Sequence, residues 1–374
     1  MKILEFKKIA KYISLYGFER TIVKIASRKH IMWLKYLICY HFKFKIKSNK
    51  YVSLIGCGQF GFSAISFFLL KVNGPILLEC YDLNSNRSRF TASFFGYKMV
   101  DNFTDIMNNE ICKIIYVASN HYSHTDYAIK ALNNNKDIYI EKPISVNWNQ
   151  FALLKEAISK SQNKIYVGYN RPYSKAARFI VNKIYKSGQP ISLSCFISGH
   201  LIAENHWYRN KEEGTRICGN VGHWIDLMIH FMNQRGAIPK EYQICILQAN
   251  SEEIDDNLNI SIRTELNDIV SIFITSRTEP FEGIKESINL QCGDNIFNID
   301  DFKRLTLWNR DKKITKRYFY KDVGHKLSIN QPFLNNSLQR DWKEIEISTY
   351  IMLFITDMVK HNVQSKKVIL QCIN

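Results

Sequence analysis

The stretch Tyr51 to Gly61, YVSLIGCGQFG, constrains this chain more than any other. A short apolar run, Tyr51 to Ile55, ends in Gly56, Gly58 and Gly61, and a second apolar run of helical length, Phe62 to Leu70, follows. Glycine in the spacing GxGxxG between a strand and a helix has a physical reason at each place. Gly56 permits the tight turn, Gly58 lets the backbone approach a pyrophosphate, and Gly61 lets helix and strand pack closely. The pyrophosphate then rests on the amides and positive dipole end of a helix that begins near Gln59 and Phe60. The next apolar strand, Pro75 to Tyr81, ends in Asp82, which lies 82 − 61 = 21 residues past the last glycine. A carboxylate there accepts both ribose hydroxyls of NAD and repels a 2′-phosphate, so NAD is favoured over NADP, with Arg87 and Arg89 softening the preference.

Beyond this unit the chain keeps alternating strand and helix up to about Val146, the pattern of a doubly wound parallel sheet. Helix Trp148 to Lys160 and strand Lys164 to Tyr169 extend the layer. From Pro190 the pattern changes. Ile191 to His200, Tyr242 to Ala249, Asn257 to Thr264, Ile269 to Thr278, Ile284 to Gln291 and Lys316 to Tyr320 read as successive strands, with helices at Asn220 to Phe231 and Arg340 to Lys360. Leu258, Ile260 and Ile262 alternate with Asn259, Ser261 and Arg263, as a sheet with one wet face requires. The expected class is α/β: an N-terminal Rossmann domain plus a C-terminal α/β domain with a large, mainly antiparallel open sheet. The expected domains are a basic amphipathic extension over 1–49, a dinucleotide-binding domain over 50–170 and a substrate and catalytic domain over 171–374, its last helix free to pack back on the Rossmann domain.

A chain of 374 residues with 46% hydrophobic and 23% charged residues reads as a soluble globular protein of more than one domain. Its nine cysteines are scattered without CxxC spacing, which argues against a disulfide framework and a zinc site and fits a reducing cytoplasm. No metal is expected. Of the formal charge of +17, residues 1–50 hold 13 − 2 = +11, from 13 Lys or Arg against Glu5 and Glu19. Two readings of this extension stand: a helical layer on the nucleotide domain with solvated lysines, or a contact with an anionic membrane surface at the inner face of the cell. Either way its removal is expected to leave catalysis intact. The positive charge lies outside any nucleic-acid module, so nucleic acid is not expected as a partner. The apolar window Ile31 to Phe42 is interrupted by Lys35 and falls short of the ~20 residues of a spanning helix.

Two further patterns carry chemistry. Tyr139-Ile140-Glu141-Lys142-Pro143 ends a strand on the ligand edge, where an ammonium can donate to a substrate oxygen and ease the deprotonation of an alcohol; the proline fixes the turn and suits a cis bond. In Gly219 to His230, Asp226 and His230 are four residues apart and share one helix face. A carboxylate beside an imidazole holds its tautomer and suits it to act as a general base.

Taken together, GxGxxG, then Ser119-Asn120 with His124, then Glu141-Lys142-Pro143, then Gly168-Tyr169-Asn170-Arg171, then the Asp226/His230 helix, resemble the Gfo/Idh/MocA oxidoreductases over residues 51 to about 360. The resemblance implies that Lys142, Asp226 and His230 are catalytic, His230 exchanging the hydroxyl proton. It implies that Ser119, Asn120, His124, Glu141 and Lys142 join Gly56, Gly58, Gln59, Phe60, Gly61 and Asp82 around NAD. Tyr169, Asn170, Arg171 and His230 would line a substrate cleft. Pro172 stands where many members carry a second arginine, a departure on the substrate side.

The polar and aromatic stretch from Gly199 to Arg216, with Gly324-His325-Lys326, is similar to the branch acting on nucleotide-linked sugars in surface-polysaccharide or glycan assembly. Arg209, Lys211, Arg216 and Lys326 would meet a diphosphate, and Trp207 or Tyr208 would stack on a uracil or sugar. The implied function is an NAD-dependent sugar dehydrogenase or reductase acting on CH–OH, with a UDP-N-acetylhexosamine derivative as substrate. Permanently bound NAD serving as an internal redox relay, and a non-catalytic regulatory protein binding NAD or sugar, stay open beside it. An open sheet with an apolar face, and the family, imply a dimer or tetramer.

Overall fold

The structure, a computed structural model, describes residues 3–39, 49–249, 255–278, 280–281, 283–335 and 338–370. The end of the basic extension, residues 40–48, and Cys372 lie outside the described residues. Two compact units form: residues 1–168 with 325–339, and residues 169–324 with 340–374.

The first unit is built on six strands: β1 (Val52–Ile55), β2 (Leu77–Tyr81), β3 (Lys98–Met99), β4 (Ile114–Val117), β5 (Asp137–Ile140) and β6 (Ile165–Val167). They are all parallel in the order β3-β2-β1-β4-β5-β6. The central strands β1 and β4 are buried on both faces, which is why they read as continuous apolar runs rather than alternating ones. Register matches Ile55 with Val117 and Val117 with Ile140. The residues that follow β1, β4 and β5 therefore emerge on one edge of the sheet, the carboxyl edge where such sheets hold ligands.

The helices Ile3–Tyr16 and Phe18–Lys29 belong to this unit. Ile22, Val23 and Ala26 sit in the same hydrophobic core as Val52, Leu54, Phe62 and Ile65. The helices Ile3–Tyr16 and Phe18–Lys29 thus form a layer of the dinucleotide domain, as the first of the two readings expected. Removing it would expose the outer face of the helix after the glycine loop. Residues 325–339 return to this unit. Tyr116 donates to the Ile329 carbonyl at 2.7 Å, and Gln331 Nε2 to the Val167 carbonyl at 2.8 Å.

The second unit carries a nine-stranded sheet of β7 (Ile191–Ser198), β8 (Glu241–Gln248), β9 (Leu258–Thr264), β10 (Ile269–Thr275), β11 (Lys285–Cys292), β12 (Asn295–Asp300), β13 (Arg304–Asn309), β14 (Lys312–Arg317) and β15 (Ser365–Ile369). Its order is β14-β13-β12-β11-β7-β10-β9-β8-β15, antiparallel except for the β7–β10 pair. β12, β13 and β15 were not legible as strands, and β14 starts earlier than the Lys316 to Tyr320 expected, overlapping it at Lys316 and Arg317. Its edge position explains the KKITKR composition, since exposed lysines blunt an edge against further pairing. The helices Gly222–Gln234 and Trp342–Lys360 pack on each other and on the sheet.

Candidate active site

At the carboxyl edge of the first sheet, the glycine loop fits a dinucleotide on steric grounds. Gly56 has φ +96°, and a Cβ there would meet the Ala118 carbonyl at 2.4 Å; a Cβ on Gly61 would meet the Gly56 oxygen at 2.1 Å. A Cβ on Gly58 would meet nothing within 4 Å, so backbone and open space adjoin where a pyrophosphate needs them. The helix begins at Gln59 and runs as a π-helix over Gly61–Ser66 before turning α, a departure from regular winding that recurs at functional sites. Asp82 accepts the Cys57 amide at 2.8 Å through Oδ2 and the Asn84 amide at 2.8 Å through Oδ1. These bonds orient the carboxylate, and each oxygen keeps a lone pair for a ribose hydroxyl.

Lys142 follows Glu141 at the end of β5, and the Lys142–Pro143 bond is cis. Glu141 is buried; Tyr139 donates to its Oε1 at 3.1 Å and the Lys142 amide to its Oε2 at 3.2 Å. Burial raises its carboxyl to about 7, against the opposing pull of Lys142 and Tyr139. Glu141 therefore acts behind the lysine, as support, and is not open to a ligand. His124 is likewise buried, with Nδ1 2.8 Å from the Pro143 carbonyl and Nε2 3.2 Å from that of Ser119. Burial pushes it down to about 4, and the neutral imidazole, with one N–H, donates to one of these two carbonyls. Ser119 and Asn120 stand further out, linked through the Ser123 hydroxyl at 2.7 and 2.6 Å.

In the second unit the Asp226–His230 pair is not made as the i,i+4 spacing suggests. Arg340 takes the Asp226 carboxylate at 2.7 Å, and Ser348 donates to its other oxygen at 3.1 Å. His230 turns instead to Glu344, with Nδ1 2.6 Å from Oε1, and Arg340 Nη2 lies 2.9 Å from that same oxygen. Helical spacing puts two Cβ atoms on one face, but a guanidinium from another segment outbids the imidazole for Asp226. Asp226 is fully buried and raised by that burial, despite Arg340. It is held by Arg340 and Ser348 and exposes no surface. Burial alone would raise Glu344, but Arg340 and His230 outweigh it and hold the carboxyl down to about 2.

Several expected substrate residues are engaged in contacts within the second unit. Arg171 is buried and forks onto Glu286 at 3.1 and 3.0 Å with its guanidinium over the Trp224 ring; Trp224 Nε1 adds a bond to Glu286 at 2.8 Å. Asn170 is buried and donates to the Val323 carbonyl, and Tyr169 is buried with its hydroxyl toward the Met352 sulfur. Arg216 is buried against Asp256 at 2.6 Å and Arg209 pairs with Asp255 and Asp256. Tyr208 donates to Asn220 at 3.1 Å, and its hydroxyl occupies the space a Cβ on Gly219 would take. Trp207, 43% exposed, remains accessible. Glu344, Arg340, Ser348 and Glu286 escaped the sequence reading. The available signal was Glu344 and Ser348 one turn apart in the helix Trp342–Lys360.

A parallel sheet with a glycine loop and an acid at the end of its second strand defines a dinucleotide-binding protein of the doubly wound class. Residues 50–169 match the model of the Gfo/Idh/MocA family, described as oxidoreductase family, NAD-binding Rossmann fold. Residues 50–169 are thus similar to the NAD-binding domain of the Gfo/Idh/MocA oxidoreductases. Oxidoreductase P35 of Formosa agariphila is 26% identical over 200 residues, 50% of this chain and 62% of that protein, so the match spans less than two thirds of this relative. Glucose-6-phosphate 3-dehydrogenase of Bacillus subtilis is 20% identical over 260 residues, 66% of this chain and 71% of that one. Among solved structures, GenD2 from gentamicin A biosynthesis in complex with NAD superposes with a TM-score of 0.69 at 12% identity, covering 88% of this chain and 99% of GenD2. That likeness extends the shared fold beyond the Rossmann domain.

Proposed function

We propose that this protein is an NAD-dependent oxidoreductase interconverting a hydroxyl and a keto carbon of a sugar or polyol. The observation that carries the reading is the common edge of the first sheet: the glycine loop after β1 and Lys142 after β5 emerge on the same side, one strand apart. Bound NAD supplies the hydride acceptor or donor. Gly56, Gly58 and Gly61 hold the pyrophosphate, and Asp82 accepts the ribose hydroxyls. In the first unit Lys142 donates to the substrate oxygen and steadies developing alkoxide charge. In the second, His230 is the group to which the resemblance gives the exchange of a hydroxyl proton.

The names of the Formosa and Bacillus relatives support the class, and that of the latter a sugar as substrate. A nucleotide-linked sugar is the narrower version. With Arg209 and Arg216 committed to Asp255 and Asp256, it rests on Trp207, Lys211 and Lys326, of which both lysines are exposed. The test is nicotinamide absorbance on mixing the protein with NAD and myo-inositol, glucose 6-phosphate or UDP-sugars. Reduced cofactor with one of them, lost in Lys142→Ala, is the expected result. No reduction, and no nicotinamide released on denaturation, would reject the enzyme; nicotinamide released without turnover would favour an internal relay.

Two partners belong to the same reading. The outer face of the second sheet carries Phe196 stacked on Phe273 at 5.2 Å, with Leu247, Ile269 and Ile296 exposed, which suits self-association into a dimer or tetramer. A light-scattering mass unchanged by Phe196→Lys would count against it. On the N-terminal helices, Lys24 is pushed down to about 7 by burial and then by Arg28, Arg20 and Lys8. Exposed Lys7, Lys11, Arg28 and Lys29, beside exposed Phe6, Phe18, Trp33 and Tyr36, suit the anionic inner surface of a membrane.

A further inference from the structure

We propose that Glu344 is the positioning residue for His230: it fixes the imidazole as its Nδ1–H tautomer and leaves Nε2 as the atom that exchanges a proton with substrate. The proposal rests on reading His230 as the proton-exchanging group. It is carried by geometry. Nδ1 stands 2.6 Å from Glu344 Oε1 with both groups buried, and a carboxylate at that distance accepts a proton held on Nδ1.

Arg340 has a separate part. It approaches Asp226 at 2.7 Å with Nη1 and Glu344 at 2.9 Å with Nη2, so one guanidinium serves two buried carboxylates. With a neutral imidazole the four groups sum to a formal charge of −1. When Nε2 receives a proton from an alcohol, the sum becomes zero. The buried cluster thus accepts the charge created in oxidation and gives it up in reduction, and Glu344 stays ionised in both states because Arg340 never leaves it. Asp226 spends its charge on Arg340, which explains why an acid on the same helix face does not serve the histidine.

The experiment is nitrogen-15 NMR of the histidine rings of the full chain, with His230 assigned by its disappearance in His230→Gln. The wild type is expected to show a slowly exchanging Nδ1 proton and an unprotonated Nε2. Glu344→Gln is expected to mix the tautomers and to lower kcat about 10²-fold or more with KM little changed, using whichever of myo-inositol, glucose 6-phosphate or the UDP-sugars is turned over. Glu344→Asp, which keeps the charge, is expected to retain the tautomer and part of kcat. A wild-type ring protonated on Nε2, or a Glu344→Gln ring with the Nδ1–H form unchanged, would overturn the proposal. Because the wild-type spectrum needs no variant, a misfolded substitution leaves that test standing. Full turnover in His230→Gln would instead overturn the role of His230, whatever the tautomer.

Discussion

Arg171 donates to both carboxylate oxygens of Glu286 at 3.1 and 3.0 Å in the interior of the second unit, where neither residue is open to solvent. In sequence the same arginine closes Gly168-Tyr169-Asn170-Arg171 and looks like a substrate contact. Removing one member of a buried pair leaves the other as an uncompensated charge, which costs roughly 3–5 kcal/mol. Arg171→Met is therefore expected to lower the unfolding free energy by about that amount in urea titration. A raised KM with unchanged stability would return Arg171 to the substrate.

The glycine loop offers a clean separation of fold from binding. A Cβ on Gly61 strikes the Gly56 oxygen, whereas one on Gly58 meets nothing. Gly58→Ala is expected to keep the melting temperature of the wild type and to weaken NAD at least about tenfold, or ~1.4 kcal/mol, by calorimetric titration. Gly61→Ala is expected to lose stability as well. Equal NAD affinity in Gly58→Ala would mean that the pyrophosphate does not approach there.

Glu141 gives the first unit a pH dependence whose sign follows from its burial. Its carboxyl is raised from 4.5 to about 7, so between those values the folded chain holds a proton that the unfolded chain has released. Stability from this group is full below pH 4.5 and declines as pH rises toward 7. The whole effect is at most roughly 3 kcal/mol. Glu141→Gln is expected to flatten the fall in unfolding free energy across this window. Parallel curves for the two proteins would show that Glu141 ionises freely in the fold.

The first unit was legible because its constraints are local. Three glycines, an acid after β2 and a lysine after β5 each sit at a strand end, and strand order follows from short right-handed crossovers. The second unit was legible as a sheet, through the alternation in β9, but not in its polar interior. Glu344 lies 114 residues from His230, and Glu286 lies 115 from Arg171. No spacing rule connects such residues. The i,i+4 rule gave Asp226 and His230 a shared face correctly and a shared bond wrongly, because Arg340 competes from outside the helix. The N-terminal helices mislead for a related reason: their lysines dominate the sequence pattern, while Ile22, Val23 and Ala26 decide where the segment packs.

That packing changes how a membrane contact must be tested. Truncation removes core side chains along with the charge and cannot separate the two. Lys7, Lys11, Arg28 and Lys29 are exposed, so their reversal to glutamate changes charge and leaves the buried face of the Phe18–Lys29 helix untouched. Each basic residue near an anionic surface contributes about 1 kcal/mol, so reversing four is expected to abolish cosedimentation with phosphatidylserine vesicles at low salt. NAD binding is expected to persist, since none of the four lies in the glycine loop. Binding of the wild type is also expected to weaken as salt rises, within the reach of a Debye length of about 8 Å at physiological ionic strength. Vesicle binding that survives charge reversal and salt would assign the basic surface to solvation alone.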